Sequence, residues 1–318
     1  MPRISAAVLG SLGYSKGIGK EEGVTDVAHY GLRKGDDSVS LLEPIRYPER
    51  LSSLLYCLAG VQLAILVVEE LDASLGETVL MLDCMGIDRG WIVLRNYIQE
   101  EQLRPLLAGT CVDGYELRED DPNALREELI SLAAAVEEND SPHGSLAVDQ
   151  HFNVRGVGTV VLGPVMDGVI RRHDHVTAHP LGTDVVVRSV RKHDKDFDST
   201  VIGERAGLGL RGVEAEQLDR GYVLSNDPSI VHTSEFEGDA ELVRYWPSAL
   251  KEGMVLHLGH WLQSVPFRLL EASGEDWRRP RLRLQSEGEI IHPPGSVAIL
   301  TYLEGGKLRV VGRIRLPQ

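Results

Sequence analysis

The sequence predicts an α/β domain followed by two small antiparallel β-barrels. In about the first 140 residues, apolar runs of strand length alternate with longer amphipathic segments, which is the pattern of an α/β domain. Beyond that point, short alternating strands are separated by turns rich in glycine and proline, which is the pattern of β-barrels. With 318 residues, of which 42% are apolar, the chain is long enough for two or three domains with separate cores. We therefore divide it into residues 1–142, 143–228 and 229–318.

The first domain is predicted to alternate strands and helices. The predicted strands are Ile4–Leu9, Ser38–Leu42, Leu63–Val68 and Trp91–Leu94. The predicted helices are Tyr47–Ala59, Gly76–Met85 and Asn123–Glu138. This order of elements is typical of nucleotide-binding domains. A polar segment, Asn139–Gly144, is predicted to link this domain to the first barrel.

Composition limits the class of protein and its partners. The longest apolar run, Val61–Val68, has only the length of a strand, and the first residues do not have the pattern of a signal peptide, so we expect no membrane partner. The cysteines, Cys57, Cys84 and Cys111, form no C-x-x-C pair, which predicts reduced thiols in a cytoplasmic protein. The net charge of −15 argues against DNA as a partner and restricts any RNA contact to a local basic face.

The second domain opens with a β-hairpin of informative sequence, VDQHFNVRGVGTVVLG, at Val148–Gly163. A predicted strand follows at Asp184–Asp194, and Val201–Ser225 supplies a closing hairpin that ends in RG-x-VLS. This succession of glycines, arginines and turns resembles the second domain of the selenocysteine-specific elongation factor (SelB) and of other translational GTPases in the elongation factor Tu class. The resemblance covers about eighty residues. It implies a three-domain architecture with a P-loop GTPase-like domain in front and a second β-barrel behind.

The phosphate-binding loop that the resemblance implies is altered. In the motif G-x-x-x-x-G-K-S/T, glycine amides hold phosphates, lysine reaches the β and γ oxygens, and the hydroxyl binds Mg²⁺. Here Gly10, Gly13 and Lys16 are retained, but Ser15 replaces the second glycine and Gly17 replaces the hydroxyl residue. A Cβ at position 15 is expected to obstruct a loop that needs a positive φ there.

The other GTPase motifs differ as well. From Gly17 to Thr25 there is too little chain for a helix and a first switch. The segment Glu43–Arg46 stands where D-x-x-G is expected, and Leu94–Tyr97 stands where the guanine-binding N-K-x-D is expected. The segment Thr110–Leu117 is also divergent at the last base-contacting loop. These changes predict a pseudo-GTPase that has lost hydrolysis. We expect no cofactor. GTP is the one candidate, because the retained Lys16 is the residue type that contacts its phosphates.

The resemblance also implies an aminoacyl pocket in the second domain. In SelB this domain begins with an Asp-Arg pair that lines the pocket together with an arginine of a later hairpin. This chain has Asp149, then Gln150 in place of the paired arginine, and Arg205 in the later hairpin. Loss of that cation argues against selenocysteine and favours a different or neutral amino acid. The alternative is that Asp149 and Arg205 form a structural ion pair between neighbouring strands.

The third domain contains the candidate RNA-binding residues. Between Trp277 and Gln318 there are eight Lys or Arg and three Asp or Glu, a balance of 8 − 3 = +5. The resemblance implies tRNA contacts here, and the candidates are Arg278, Arg279, Arg281 and Arg283. Alternating arginines on a strand are equally consistent with a solvated face. The predicted strands of this domain are Asp239–Tyr245, Val255–Leu258, Trp261–Leu270, Arg281–Leu284, Val297–Tyr302 and Leu308–Arg315.

One further group of residues was considered as a metal site. His173, His175 and His179 lie close in sequence, but they fall on a turn and a strand with no cysteine nearby, so no metal site is predicted.

Three hypotheses follow for function. The first is an elongation factor-like protein that binds tRNA or aminoacyl-tRNA, or a ribosomal or other translation partner, without GTP hydrolysis. The second is a divergent elongation factor that still binds GTP, and the third is a protein-interaction scaffold. Magnesium-dependent nucleotide binding distinguishes the second from the first, and absence of both nucleotide and RNA binding distinguishes the third.

Overall fold

The structure is a computed structural model that describes residues 3–35, 37–134, 141–192, 195–304, 306 and 308–318. It divides into two compact units, Met1–Glu138 and Asn139–Gln318. The fold is a mixed α/β domain followed by two six-stranded antiparallel β-barrels, as the sequence predicts. None of the helices in the described ranges has the length and apolar character needed to cross a membrane.

The α/β unit is built on a mixed sheet of order β2-β3-β4-β1-β5-β6-β7. The strands are β1 (Arg3–Leu9), β2 (Lys20–Val24), β3 (Ala28–Lys34), β4 (Asp37–Glu43), β5 (Leu63–Val68), β6 (Gly90–Leu94) and β7 (Glu116–Arg118). The helices are α1 (Leu51–Leu58), α2 (Ala73–Met85), α3 (Glu100–Leu107) and α4 (Pro122–Ala134). In sheet order, the five strands β4, β1, β5, β6 and β7 are parallel, whereas β2 and β3 add an antiparallel hairpin at one edge. Strand β5, LAILVV, is buried throughout, which is typical of a central parallel strand covered on both faces.

The predicted elements of this unit are present, with shifted ends. Helix α1 begins at Leu51 rather than Tyr47, because Pro48 disfavours the helical conformation at the residue before it. Helix α2 begins three residues earlier than predicted, where the Asp72 carboxylate accepts a hydrogen bond from the Leu75 amide at 2.9 Å. The predicted end of the last helix and the start of the linker, residues 135–140, lie outside the described residues.

The first barrel of the second unit closes through strands β11-β16-β8-β10-β15-β12, with β12 pairing back to β11. The strands of this sheet are β8 (Gly144–Ala147), β9 (Gln150–Val154), β10 (Gly158–Arg171), β11 (His175–His179), β12 (Thr183–Lys192), β13 (Lys195–Phe197), β14 (Ser199–Val201), β15 (Arg205–Arg211) and β16 (Val223–Ser225), of which β9, β13 and β14 lie outside the closed ring. The predicted end of the β12 strand, residues 193–194, lies outside the described residues. In β12 the register shifts between Val187 and Ser189, and this bulge places both Val187 and Val190 in the core.

The second barrel closes in the order β17-β20-β19-β18-β21-β22. Its strands are β17 (Val231–Leu242), β18 (Val255–His260), β19 (Gln263–Ser273), β20 (Arg281–His292), β21 (Val297–Thr301) and β22 (Val310–Arg315). Strand β17 starts well before the predicted Asp239. The predicted strand Trp261–Leu270 begins instead with a turn, where Trp261 has a φ of 52° and stacks on His260.

Candidate functional site

The loop after β1 has a backbone shape that requires glycine. Gly10 and Gly13 have φ values of 88° and 81°, in the left-handed region that glycine adopts without strain. A Cβ on Gly10 would lie 2.1 Å from the Val67 carbonyl oxygen of the adjacent strand. Gly13 precedes a 3-10 turn at Tyr14–Gly17. The sequence therefore retains the sharp exit from the first strand that a phosphate-binding loop uses.

The amides of this loop bind a carboxylate of the protein itself. Glu43 is the last residue of β4, the strand paired with β1, and only 1% of its surface is exposed. Its Oε2 accepts a hydrogen bond from the Gly13 amide at 2.6 Å, and its Oε1 accepts one from the Ser15 amide at 2.6 Å. Amides at the start of a helical turn carry a partial positive charge and favour an anion. Glu43 thus occupies, with two oxygens, the kind of position in which a phosphate is bound.

The altered position Ser15 and the retained Lys16 lie in different surroundings. Ser15 is buried and is not among the residues with positive φ, so the expected obstruction by its Cβ does not arise; the left-handed residue is Gly13 instead. Lys16 has 66% of its side chain exposed, and its Nζ lies 4.0 Å from Oε2 of Glu21. Lys16 therefore lies at the surface beside an acidic neighbour.

No α-helix follows the loop. Residues 10–27 are all described, and between β1 and β3 they contain the 3-10 turn and the exposed strand β2 but no α-helix. The short spacing from Gly17 to Thr25 predicts this result. The chain that follows the loop is used to extend the sheet as the β2–β3 hairpin.

A polar cluster fills the same edge of the sheet, where the loops after β1, β5, β6 and β7 meet. Arg95 lies between two carboxylates, 2.6 Å from Glu69 and 3.0 Å from Asp120. The Ser11 hydroxyl donates to Glu69 at 3.0 Å, and the Tyr14 hydroxyl donates to Asp120 at 2.8 Å. Burial, reinforced by the bond to Asp120, raises the pKa of Tyr14 well above its usual range. These charges are satisfied by one another.

The two segments that stand where base-contacting motifs are expected, Leu94–Tyr97 and Thr110–Leu117, make contacts within their own unit. Asn96 and Tyr97 have φ values of 53° and 62°, and Tyr97 is 97% exposed, while the Asn96 amide donates to the Glu69 carbonyl at 3.1 Å. In the segment Thr110–Leu117, the Tyr115 hydroxyl is bonded to the Ile87 carbonyl at 2.6 Å. Burial, together with Asp83, raises the pKa of Cys111 to about 12. This segment therefore packs against its own domain.

In the first barrel, Asp149 lies between two arginines. Its Oδ2 is 2.7 Å from Nη1 of Arg205, and its Oδ1 is 2.9 Å from Nη2 of Arg220. The Asp149 side chain is 4% exposed, whereas Arg205 and Arg220 keep 24% and 28% of their side chains exposed. Gln150, the first residue of β9, is partly buried and pairs with Leu162 of β10. The structure thus contains the ion pair considered from sequence and adds a second cation.

Sequence reasoning missed Arg220. It lies in the RG-x-VLS exit that carries the family resemblance, and its proximity to Asp149 arises because the backbone there bonds to Val148. The sequence shows an arginine in the RG-x-VLS segment, but only the closure of the barrel brings that arginine close to Asp149.

In the second barrel, three of the four candidate RNA-binding arginines are paired with carboxylates. Arg281 lies 3.3 Å from both Glu237 and Asp239, and Arg283 lies 2.7 Å from Glu235. Adjacent strands β17 and β20 bring these charges together. Arg279 lies 3.6 Å from Glu241, and that glutamate also pairs with Arg313 at 2.6 Å. We call Arg279, Arg281 and Arg283, together with the β17 carboxylates that pair with them, the charge ladder.

Arg278 differs from its neighbours. Its guanidinium donates to the Val243 carbonyl at 3.3 Å and stacks on Trp277, with 4.3 Å from Cζ to the ring centroid. No carboxylate pairs with Arg278 in the described part of the chain.

The three histidines considered as metal ligands do not converge. His173 occupies a turn with a φ of 74°, His175 lies 3.0 Å from Asp184, and His179 lies 2.7 Å from His232. Burial, together with nearby His232, lowers the pKa of His179 to about 4. Across the described ranges, no group of three or more His, Cys, Asp or Glu side chains is arranged to hold a metal ion.

Comparisons with known proteins agree with this architecture. Residues 158–225 match the family model for elongation factor Tu domain 2. The chain is 33% identical over 309 residues to the uncharacterized protein MJ0325 of Methanocaldococcus jannaschii, which covers 96% of this chain and 97% of the relative. It is 28% identical over 149 residues to the selenocysteine-specific elongation factor of the same organism, covering 46% of this chain but 32% of that protein.

A solved structure gives the same fold. The crystal structure of translation elongation factor SelB from Methanococcus maripaludis, in complex with the GTP analogue GPPNHP, superposes with a TM-score of 0.84 at 17% identity. The match covers 100% of this chain and 79% of that one. At this identity the similarity concerns the fold.

Proposed function

Since the chain belongs to the same family as MJ0325, within the SelB-like and elongation factor Tu-like class of translational GTPases, we propose that it binds tRNA, or another component of translation, without a cycle of GTP binding and hydrolysis. Two separate parts of the molecule support the two halves of this proposal. The loop edge of the α/β unit supports the absence of a nucleotide cycle. The arginines around Asp149 support the retained binding of a charged ligand.

The observation that carries the first half is the position of Glu43. A nucleotide phosphate would need the Gly13 and Ser15 amides, but both already donate to the Glu43 carboxylate. Displacing the carboxylate would forfeit two hydrogen bonds to a charged group, each contributing roughly 1.5 to 3 kcal/mol. It would also leave a buried anion beside an arriving anion, which adds a desolvation and repulsion penalty.

Two further features oppose nucleotide binding. Gly17 has no hydroxyl to bind Mg²⁺, and the metal is what neutralises the β and γ phosphates in P-loop proteins. Arg95 and Asp120 are already paired with each other at the edge where a base would be recognised. The retained Gly10, Gly13 and Lys16 are thus the remnant of a nucleotide site whose anion is supplied internally.

The second half rests on the first barrel. Asp149 is almost fully buried, and its charge orients Arg205 and Arg220, whose side chains remain about a quarter exposed. Guanidinium groups suit the phosphate or the carbonyl oxygens near the end of a charged tRNA. Gln150 offers a neutral polar group where the SelB-type pocket has a cation. We propose that this site accepts a neutral or polar amino acid.

Without switch segments, the timing of release cannot depend on hydrolysis. The occupancy of such a binding protein would then follow the concentrations of the protein and its partner.

The direct test is nucleotide binding by the purified chain. Titration with a fluorescent GTP analogue, with and without Mg²⁺, is expected to give no saturable binding at nucleotide concentrations up to about 1 mM, where the binding free energy is about −4 kcal/mol. Magnesium-dependent binding in the micromolar range would contradict the proposal and support a divergent but working GTPase. Absence of both nucleotide and tRNA binding would support a protein-interaction scaffold.

A further inference from the structure

We propose that the second barrel carries a stacking surface for unpaired nucleotides of RNA, formed by Arg244, Tyr245, Trp277 and Arg278. This inference deepens the proposed function, and rests on it for the class of ligand. We call these four residues the aromatic–arginine cluster.

The cluster is assembled by two segments that lie side by side. One follows the end of β17, and the other precedes β20. The Leu242 amide donates to the Arg278 carbonyl at 2.8 Å, and the Arg278 guanidinium donates to the Val243 carbonyl at 3.3 Å. These bonds join Leu242 and Val243, which Arg244 and Tyr245 directly follow, to Arg278, which Trp277 directly precedes.

In each segment an arginine stacks on an exposed aromatic ring. The Arg278 Cζ lies 4.3 Å from the Trp277 ring centroid, and the Arg244 Cζ lies 4.6 Å from the Tyr245 ring centroid. The Arg244 guanidinium also donates to the Tyr245 hydroxyl. Tyr245 is 53% exposed and Trp277 is 37% exposed. Such stacking holds two flat groups at the surface, where a base could extend the stack.

The charge of the cluster distinguishes it from the rest of this barrel. The arginines of the charge ladder are neutralised by carboxylates on β17. In the described ranges, neither Arg244 nor Arg278 is ion-paired. The Asp276 carboxylate accepts a hydrogen bond from the Arg278 backbone amide at 2.9 Å rather than from its guanidinium. In a chain of net charge −15, an RNA backbone is attracted only where cations remain uncompensated.

The aromatic rings and the arginines of the cluster together favour one class of RNA. A phosphodiester backbone pairs with the arginines, and unpaired bases stack on the rings, each stacked base contributing roughly 1 to 3 kcal/mol. A duplex keeps its bases stacked internally and can use only the arginines. The cluster is therefore expected to prefer single-stranded RNA.

The test is fluorescence anisotropy with the full chain. The probes are a labelled unstructured RNA of about ten nucleotides and a blunt RNA hairpin with the same number of phosphates. We expect the unstructured RNA to bind more tightly, and Tyr245→Ala combined with Trp277→Ala to weaken it at least about tenfold. Tyr245→Phe combined with Trp277→Phe should retain binding, since both rings remain. Arg281→Gln combined with Arg283→Gln is the matched control on the charge ladder and should change affinity less than about twofold.

Three results would overturn the inference: equal binding by the parent and the double alanine variant, preference for the hairpin, or displacement of the RNA by a poly-glutamate peptide of equal charge. Parallel measurement with tRNA separates the two proposals. If tRNA binds equally to the parent and the alanine variant while the short RNA does not bind, the cluster inference fails and the proposed function stands. If the parent does not bind tRNA, the tRNA-binding part of the proposed function fails, and binding of the short RNA still tests the cluster inference.

Discussion

The loop edge of the α/β unit and the Asp149 site of the first barrel place a buried carboxylate in opposite settings. At the loop edge, Glu43 accepts hydrogen bonds from the Gly13 and Ser15 amides. In the barrel, Asp149 pairs with Arg205 and Arg220, whose side chains remain partly exposed. A buried carboxylate therefore occupies the loop amides in one place and orients two arginines in the other. The difference teaches that retention of a fold says little about a site until the partners of its buried charges are known.

Removal of the Glu43 carboxylate should give the largest effect. Glu43→Ala is expected to lower the free energy of unfolding of the α/β unit by about 3 to 6 kcal/mol, because two amides lose a charged acceptor. Urea denaturation measures this loss. Glu21→Gln, which removes an exposed carboxylate near the same loop, is the matched control and should cost under about 1 kcal/mol.

The Glu43→Ala variant also tests whether the Gly13 and Ser15 amides can bind an added anion. Phosphate or sulfate should raise the melting temperature of Glu43→Ala more than that of the parent chain, since an anion can then occupy the loop. Equal shifts in both proteins would show that the loop amides do not form an anion site.

The second unit should show its own dependence on pH. Burial lowers the pKa of His260 to about 4, and His179 is lowered similarly by burial and by His232. Because these values lie below about 6.5 for an unfolded histidine, the stability they support is complete above pH 6.5 and is lost as the pH falls toward 4. For His260, which is 8% exposed, the loss approaches about 3 kcal/mol. Urea denaturation of the parent and of His260→Gln across this range measures it; identical slopes in both would contradict the assignment.

Asp149→Asn tests the barrel half of the comparison. It leaves Arg205 and Arg220 facing each other without their shared carboxylate, and we expect a loss of about 2 kcal/mol, discounted for the exposure of both arginines. The variant should also bind charged tRNA more weakly, because the guanidinium groups lose their orientation. Asp196→Asn, at an exposed ion pair with Arg191, serves as the control, and equal effects from both would remove the case for a built site.

The smallest effect is expected on the charge ladder. Arg281→Gln and Arg283→Gln each break exposed ion pairs, so each should lower stability by under about 1 kcal/mol. Their effect on tRNA affinity should be smaller than that of Arg244→Gln combined with Arg278→Gln. A larger loss of tRNA affinity from the charge-ladder substitutions would instead identify the charge ladder as the RNA-binding face.

Sequence patterns predicted the fold where the signal was local. The buried run of β5 and the alternation of the barrel strands are encoded within a few residues, and the resemblance supplied their order. The role of Glu43 was not predictable, since it depends on the pairing of β4 with β1 and on the 3-10 turn at Tyr14. Arg220 was missed for the same reason, because barrel closure brings it to Asp149. Charge balance on β20 likewise required the register of its partner strand, which places Glu237 and Asp239 beside Arg281.

The most direct measurement is the binding of charged and uncharged tRNA to the purified chain, over a range of salt, with and without GTP and Mg²⁺. We predict salt-dependent binding that prefers charged tRNA and is unchanged by GTP, because the loop that would sense the nucleotide is occupied by Glu43. Binding that appears only with GTP, or no binding above that of an acidic control protein, would contradict a nucleotide-independent tRNA-binding role.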